Sequence, residues 1–140
     1  MQRKRIIRRV TKRLPLWIAL VGAALAAAPL QAHHGQAAYD REKTISVSGA
    51  VTRFEFVNPH VLIHVAVPQT DGKTVEWAGE LTSPNRLARL SLGDVKWHKD
   101  LLHPGDKITL TGNPARNGAP ALYLTKVVDG TGKALIGGEP

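Results

Sequence analysis

Beyond residue 43 the chain alternates apolar and polar residues with a period near two, and β-branched residues recur between turn signals. That is the pattern of strands buried on one face. The first predicted strand is Thr44 to Val57. Ile45, Val47 and Val51 share one parity while Phe54 and Phe56 take the other, so the strand must bulge or bend between Gly49 and Arg53. After Asn58-Pro59 a second strand, His60 to Val67, aligns Val61, Ile63, Val65 and Val67 on one face. A third strand, Lys73 to Leu81, carries Val75, Trp77 and Gly79 on its apolar side.

Ser83-Pro84 then reads as a helix start, with the serine as N-cap and the proline in the first turn. Leu87 and Leu90 form a short apolar stripe, and Gly93 is the expected stop. Two more strands follow, Lys107 to Gly112 and Ala121 to Val128, with Asn117-Gly118 in the connection, residues 131–140 as a C-terminal tail and Gly137 to Pro140 as its loose end. Three strands, one helix and two strands, with a bent first strand, match an all-β five-stranded Greek-key barrel of the OB type, its helix between strands three and four. An immunoglobulin-like sandwich would need about seven strands and no such helix.

The parity of the two apolar faces also sets the register of strands two and three. If the turn occupies residues 68–72, Val67 faces Lys73, and the outer face aligns His60 with Glu80 and His64 with Glu76. Opposed Cβ atoms lie about 4.5–5.5 Å apart, within reach of a His–Glu contact. His60 and His64 stand about 13 Å apart along one strand at roughly 3.3 Å per residue, too far to share one ion. His64–Glu76 is read as a solvent-side ion pair.

The chain begins differently. Seven of its nineteen Lys and Arg residues lie before position 14, ahead of an Ala-rich apolar run from Leu14 to Leu30 that ends in Pro29 and small residues. This is the layout of a cleavable export signal over residues 1–32 rather than of a stable membrane anchor. Arg8-Arg9 is followed by Thr11 and Lys12, a poor fit to a twin-arginine signal. The signal changes the meaning of the net charge of +8. With no acidic residue before Asp40, the remaining chain carries twelve basic and eleven acidic groups, a net of +1. The basic balance therefore speaks for targeting and against nucleic-acid binding.

A cut after Ala32 leaves residues 33–43 as an N-terminal segment ahead of a barrel domain at 44–130. It also makes His33 the new terminus, whose α-amine and imidazole can chelate one ion, with His34 or His60 adding a nitrogen. A nitrogen-rich set of this kind suits Cu(II), and Ni(II) or Zn(II) less tightly. A cut after Ala37, which follows small-x-small residues, would discard both histidines. Cysteine is absent and the only methionine is Met1, so a soft-ligand Cu(I) site and thiolate catalysis are both excluded. Neither G-x-S-x-G nor H-E-x-x-H occurs. His98 and His103 read as solvated loop residues, and Trp77 and Trp97 as core or rim packing.

The ordered series AHHGQAAYD, VSGAVTRFEFVNPH, WAGELTSPNRLAR and LHPGDKITLTGNPARNG resembles a family of small exported bacterial proteins that share a domain of unknown function. The resemblance implies a double histidine directly behind the signal, an Asn-Pro-His motif on Asn58, Pro59 and His60, and a Trp-x-x-Glu motif on Trp77 and Glu80. This chain has Gly35-Gln36 where members carry Ser-Phe. The resemblance brings no activity with it.

The expectation is thus a periplasmic or secreted, non-enzymatic protein that binds or delivers a divalent metal, copper first, through His33, His34 and His60, with Glu80 ligating or orienting His60, and without a stable membrane anchor. A module that docks another envelope protein or a small ligand is the alternative. A copper enzyme with an N-terminal histidine brace comes third.

Overall fold

The computed structural model describes residues 36–90 and 95–137, all of them inside the compact unit His34–Pro140. A 3-10 turn, Gln36–Ala38, precedes β1 (Ile45–Glu55), β2 (Leu62–Pro68), β3 (Thr74–Glu80), α1 (Pro84–Arg89), β4 (Lys107–Pro114), β5 (Ala121–Asp129) and β6 (Ala134–Ile136). The expected signal over 1–32 and the pair His33-His34 lie outside the described residues.

Strands β1 to β5 form a closed barrel. The order β3-β2-β1-β4-β5 is antiparallel throughout, and a parallel pairing of Ala78–Glu80 with Ala121–Tyr123 joins its two ends. One short helix lies between β3 and β4, and the connectivity is compatible with an OB-type barrel. The expected phase change in β1 occurs at Thr52. Val51 faces Val65 and Arg53 faces His64, so Thr52 is the extra residue of a bulge. Below the bulge Val51 is buried; above it Phe54, opposite Ile63, packs against the same core.

The barrel interior is filled from β1, β2, β4 and β5 by Val51, Ile63, Val65, Leu110, Leu122 and Val127, among others, with Trp77 of β3 packed against it. Helix α1 adds Leu87, 1% exposed, whose burial is worth about 1.5–3 kcal/mol. Ser83 caps the helix by accepting the Arg86 N–H, and the Leu90 N–H returns to the Arg86 and Leu87 carbonyls. Gly93, the expected stop, lies outside the described residues. Trp97 is core, as expected, and donates Nε1–H to the Leu135 carbonyl at 3.1 Å. Gly79 faces inward, where a Cβ would stand 2.6 Å from Leu124 Cδ1, so a larger residue there would have to displace the Leu124 side chain.

Two expectations need correction. Leu62, not His60, lies opposite Glu80, and His64 lies opposite Ala78. The hairpin is two residues out of the expected register because β2 runs on through Pro68, which pairs with Thr74. Turn chemistry sets this: Asp71 Oδ1 accepts the Lys73 N–H at 3.0 Å, Gly72 adopts φ 82°, and the Gln69 N–H closes the loop on the Lys73 carbonyl. A shift of two preserves parity, so the faces survive it. Second, residues 131–140, expected as a C-terminal tail beyond five strands, contain a sixth strand, β6, which pairs with β5 and buries Leu135.

Candidate functional site

At one barrel end His60, just before β2, meets Glu80, the last residue of β3. His60 Nδ1 lies 2.6 Å from Glu80 Oε1. The contact is diagonal across the hairpin and not between opposed residues, a geometry long side chains still span. A carboxylate only accepts, so Nδ1 is the donor in this contact, and in the neutral ring Nε2 is then the lone-pair nitrogen. The His60 side chain is 38% exposed and that of Glu80 17%.

The second oxygen of Glu80 is also engaged. Tyr39 donates its phenolic O–H to Glu80 Oε2 at 2.7 Å. Burial first, then this hydrogen bond and the charge of Glu80, push the Tyr39 phenol well above the usual tyrosine range. Tyr39 belongs to the N-terminal segment, which is fixed to the barrel by several further contacts. Its backbone bridges to Ala115, its ring packs against Tyr123 at a centroid distance of 5.7 Å, and Gln36 Nε2 donates to the Tyr123 hydroxyl at 2.7 Å. The Asp40 N–H bonds the Pro114 carbonyl at 2.8 Å. Gln36, His60, Glu80, Thr82, Arg86 and Tyr123 border a recess of about 210 Å³.

Asp40 is spent on local structure, and Glu42 is exposed. Asp40 pairs with Lys43 at 3.2 Å and accepts the Glu42 N–H. The Lys43 hydrogen bond holds its carboxyl below the usual aspartate range.

His64 departs from expectation. It lies on the outer side of β2 yet is only 9% exposed, the one buried polar or charged residue among those described. Its nearest acidic partner is Glu55, with Nε2 at 2.8 Å from Oε1, while Glu76 stands 3.7 Å from Nδ1. Arg53 reaches the same Nε2 at 3.1 Å and pairs with Glu55 at 3.0 Å. The bulge at Thr52 explains what the sequence reading missed. It turns Arg53 and Glu55 onto the outer face beside His64, and Thr52 Oγ1 itself donates to Glu76 Oε2 at 2.9 Å. His64 is thus packed into a polar cluster rather than being a solvent-side pair. His98 and His103 are exposed, as expected.

Of the four candidate metal residues, the structure brings His60 and Glu80 together; His33 and His34 lie outside the described residues. Among the described residues, no group of three or more His, Asp or Glu side chains could hold an ion by itself. Sequence reasoning missed Tyr39, Gln36 and Arg86 at this end. Tyr39 follows the double histidine by five residues in AHHGQAAYD, and that nearness was the available signal.

No curated protein matches this chain. A family model does, over residues 19–122, a span that takes in His33, His34, Tyr39, His60 and Glu80. That match covers more than half of the 140 residues, and the chain belongs to DUF6152, a family of unknown function.

Proposed function

We propose that this protein is exported, is cleaved after Ala32, and binds a divalent transition-metal ion, copper before nickel or zinc, for storage or delivery. The observation that carries this reading is the relay from Tyr39 through Glu80 to His60. A metal-binding imidazole characteristically donates its other N–H to a carboxylate, which fixes the ring and raises its basicity. Here the Nδ1–H of His60 is held in that way, the carboxylate is itself held by a phenol, and Nε2 sits on a partly exposed ring. With both oxygens engaged, Glu80 orients His60 rather than coordinating.

The remaining donors would come from His33 and His34. Gln36 borders the same recess as His60, and the three residues from His33 to Gln36 extend at most roughly 10 Å. A terminal amine, the His33 imidazole and His60 Nε2 would make a nitrogen-rich site of the kind Cu(II) prefers.

A second reading draws on the recess itself. Arg86, Thr82 and Gln36 border it beside His60, and these donors suit a small anionic ligand with no metal, as in an interaction or ligand-binding module.

Titration with Cu(II) against a competing chelator decides between them. The metal reading expects one tight site that weakens at least tenfold in both His60→Ala and His33→Ala. Equal, weak binding by all three proteins would leave the ligand module standing. Intact mass of the exported protein gives the terminus, and a chain beginning at Ala38 would remove the chelate outright.

A further inference from the structure

A cavity larger than the recess beside His60 lies at the other end of the barrel. It holds about 590 Å³, within the range typical of small-molecule sites. Lys107 borders it at the start of β4. Pro114, at the finish of β4, receives the Asp40 N–H beside Tyr39. The eight residues of that strand hold the two ends roughly 23 Å apart at about 3.3 Å per residue.

Its floor is apolar: Leu101, Leu102, Ile108 and Leu135 line it, together with Val95. Its rim is made of hydrogen-bond donors. Lys96, Lys107 and Lys133 are exposed there, and His98 joins them. His98 Nδ1 accepts the Asp100 N–H at 3.3 Å, so the neutral ring carries its proton on Nε2 as a further donor. The two carboxylates that line the cavity are engaged within their own turns. Asp129 Oδ1 accepts from the Thr131 N–H, the Thr131 hydroxyl and the Lys133 N–H at 2.6–3.0 Å. Asp106 Oδ2 accepts the His103 N–H at 2.8 Å. One oxygen of each carboxylate is thus engaged by its own turn, and three lysines against two carboxylates leave the rim of the apolar pit net positive.

We infer that this cavity binds an amphipathic anion, a single-chain carboxylate whose apolar tail enters the floor between Leu101 and Leu135 while its head group meets Lys107 and Lys133. An anion without a tail would forgo the apolar floor, and a neutral tail would forgo the lysines. Both parts together give the site its selectivity.

The probe is dodecanoate, kept below its micelle concentration and titrated calorimetrically into the full chain. Acetate and 1-dodecanol serve as comparison ligands. Expected is saturable one-to-one binding of dodecanoate, at least tenfold weaker in the Lys107→Glu/Lys133→Glu double variant and unchanged in His60→Ala. Acetate and the alcohol should each bind at least tenfold more weakly than dodecanoate. The apolar run at 14–30 is common to all the proteins, so the difference between variants reports the cavity alone. Both lysines are exposed, which keeps the double variant folded; its circular dichroism should match the parent's. Non-saturable uptake, equal binding by the double variant, or equal affinity for the alcohol would overturn the inference.

Discussion

Tyr39 and Glu80, separated by 41 residues in sequence, share a 2.7 Å hydrogen bond that ties the N-terminal segment to the end of β3. The same carboxylate holds His60 at 2.6 Å. One acidic side chain thus fixes both the strap and the ring. Tyr39 packed on Tyr123 supplies an apolar anchor for the same segment.

Tyr39 should leave a signature at high pH. Its folded-state pKa is raised, so the stability it contributes is complete below the unfolded value near 10 and is lost as pH climbs beyond it. Thermal midpoints measured across alkaline pH should fall above that value, and Tyr39→Phe should flatten the fall. In an absorbance titration of the two tyrosines, the late-ionising phenol should vanish in the same variant.

Glu80→Gln tests the orienting role. The amide keeps the size of the carboxylate but loses its charge and cannot accept from both Tyr39 and His60 through two oxygens. Copper affinity should drop about 10–100-fold, the usual loss when a group that orients a metal ligand is replaced. The circular dichroism spectrum should not change.

His64→Ala should do the reverse. Removing a buried imidazole that holds Arg53, Glu55 and Glu76 together should cost about 1–3 kcal/mol in urea denaturation. Copper affinity should stay within twofold of the parent, because His64 faces its own cluster and His60 another.

The barrel was legible because alternation and parity are strong, local signals. The strands expected from His60 to Val67 and from Lys107 to Gly112, and the phase change in β1, followed from them, while Ser83-Pro84 marked the helix cap. The hairpin register was not legible, since Asp71-Gly72 and a strand-ending Pro68 allow two turns of equal parity. The site was half legible. His60 and Glu80 were paired through the wrong register but on the correct face, and a diagonal contact rescued them. Tyr39, Arg53 and Glu55 could not be placed, because a bulge and a docked segment depend on packing that no sequence period records.

Gly112→Ala should destabilise the fold. An added Cβ would collide with the Tyr123 carbonyl at the irregularity between Thr111 and Gly112, where β4 meets β5. Overpacking of this kind costs about 1–3 kcal/mol, to be read as a lowered urea midpoint. Because Tyr123 supports Tyr39, the late-titrating phenol should also ionise earlier in this variant.

Pulsed electron paramagnetic resonance of the equimolar Cu(II) complex counts the imidazoles bound to the ion. Removing His60 should take away one imidazole coupling relative to the parent, with the His33 signal retained. Identical spectra from the parent and His60→Ala would mean that His60 does not share the ion, and the metal-binding account of the barrel end would fall.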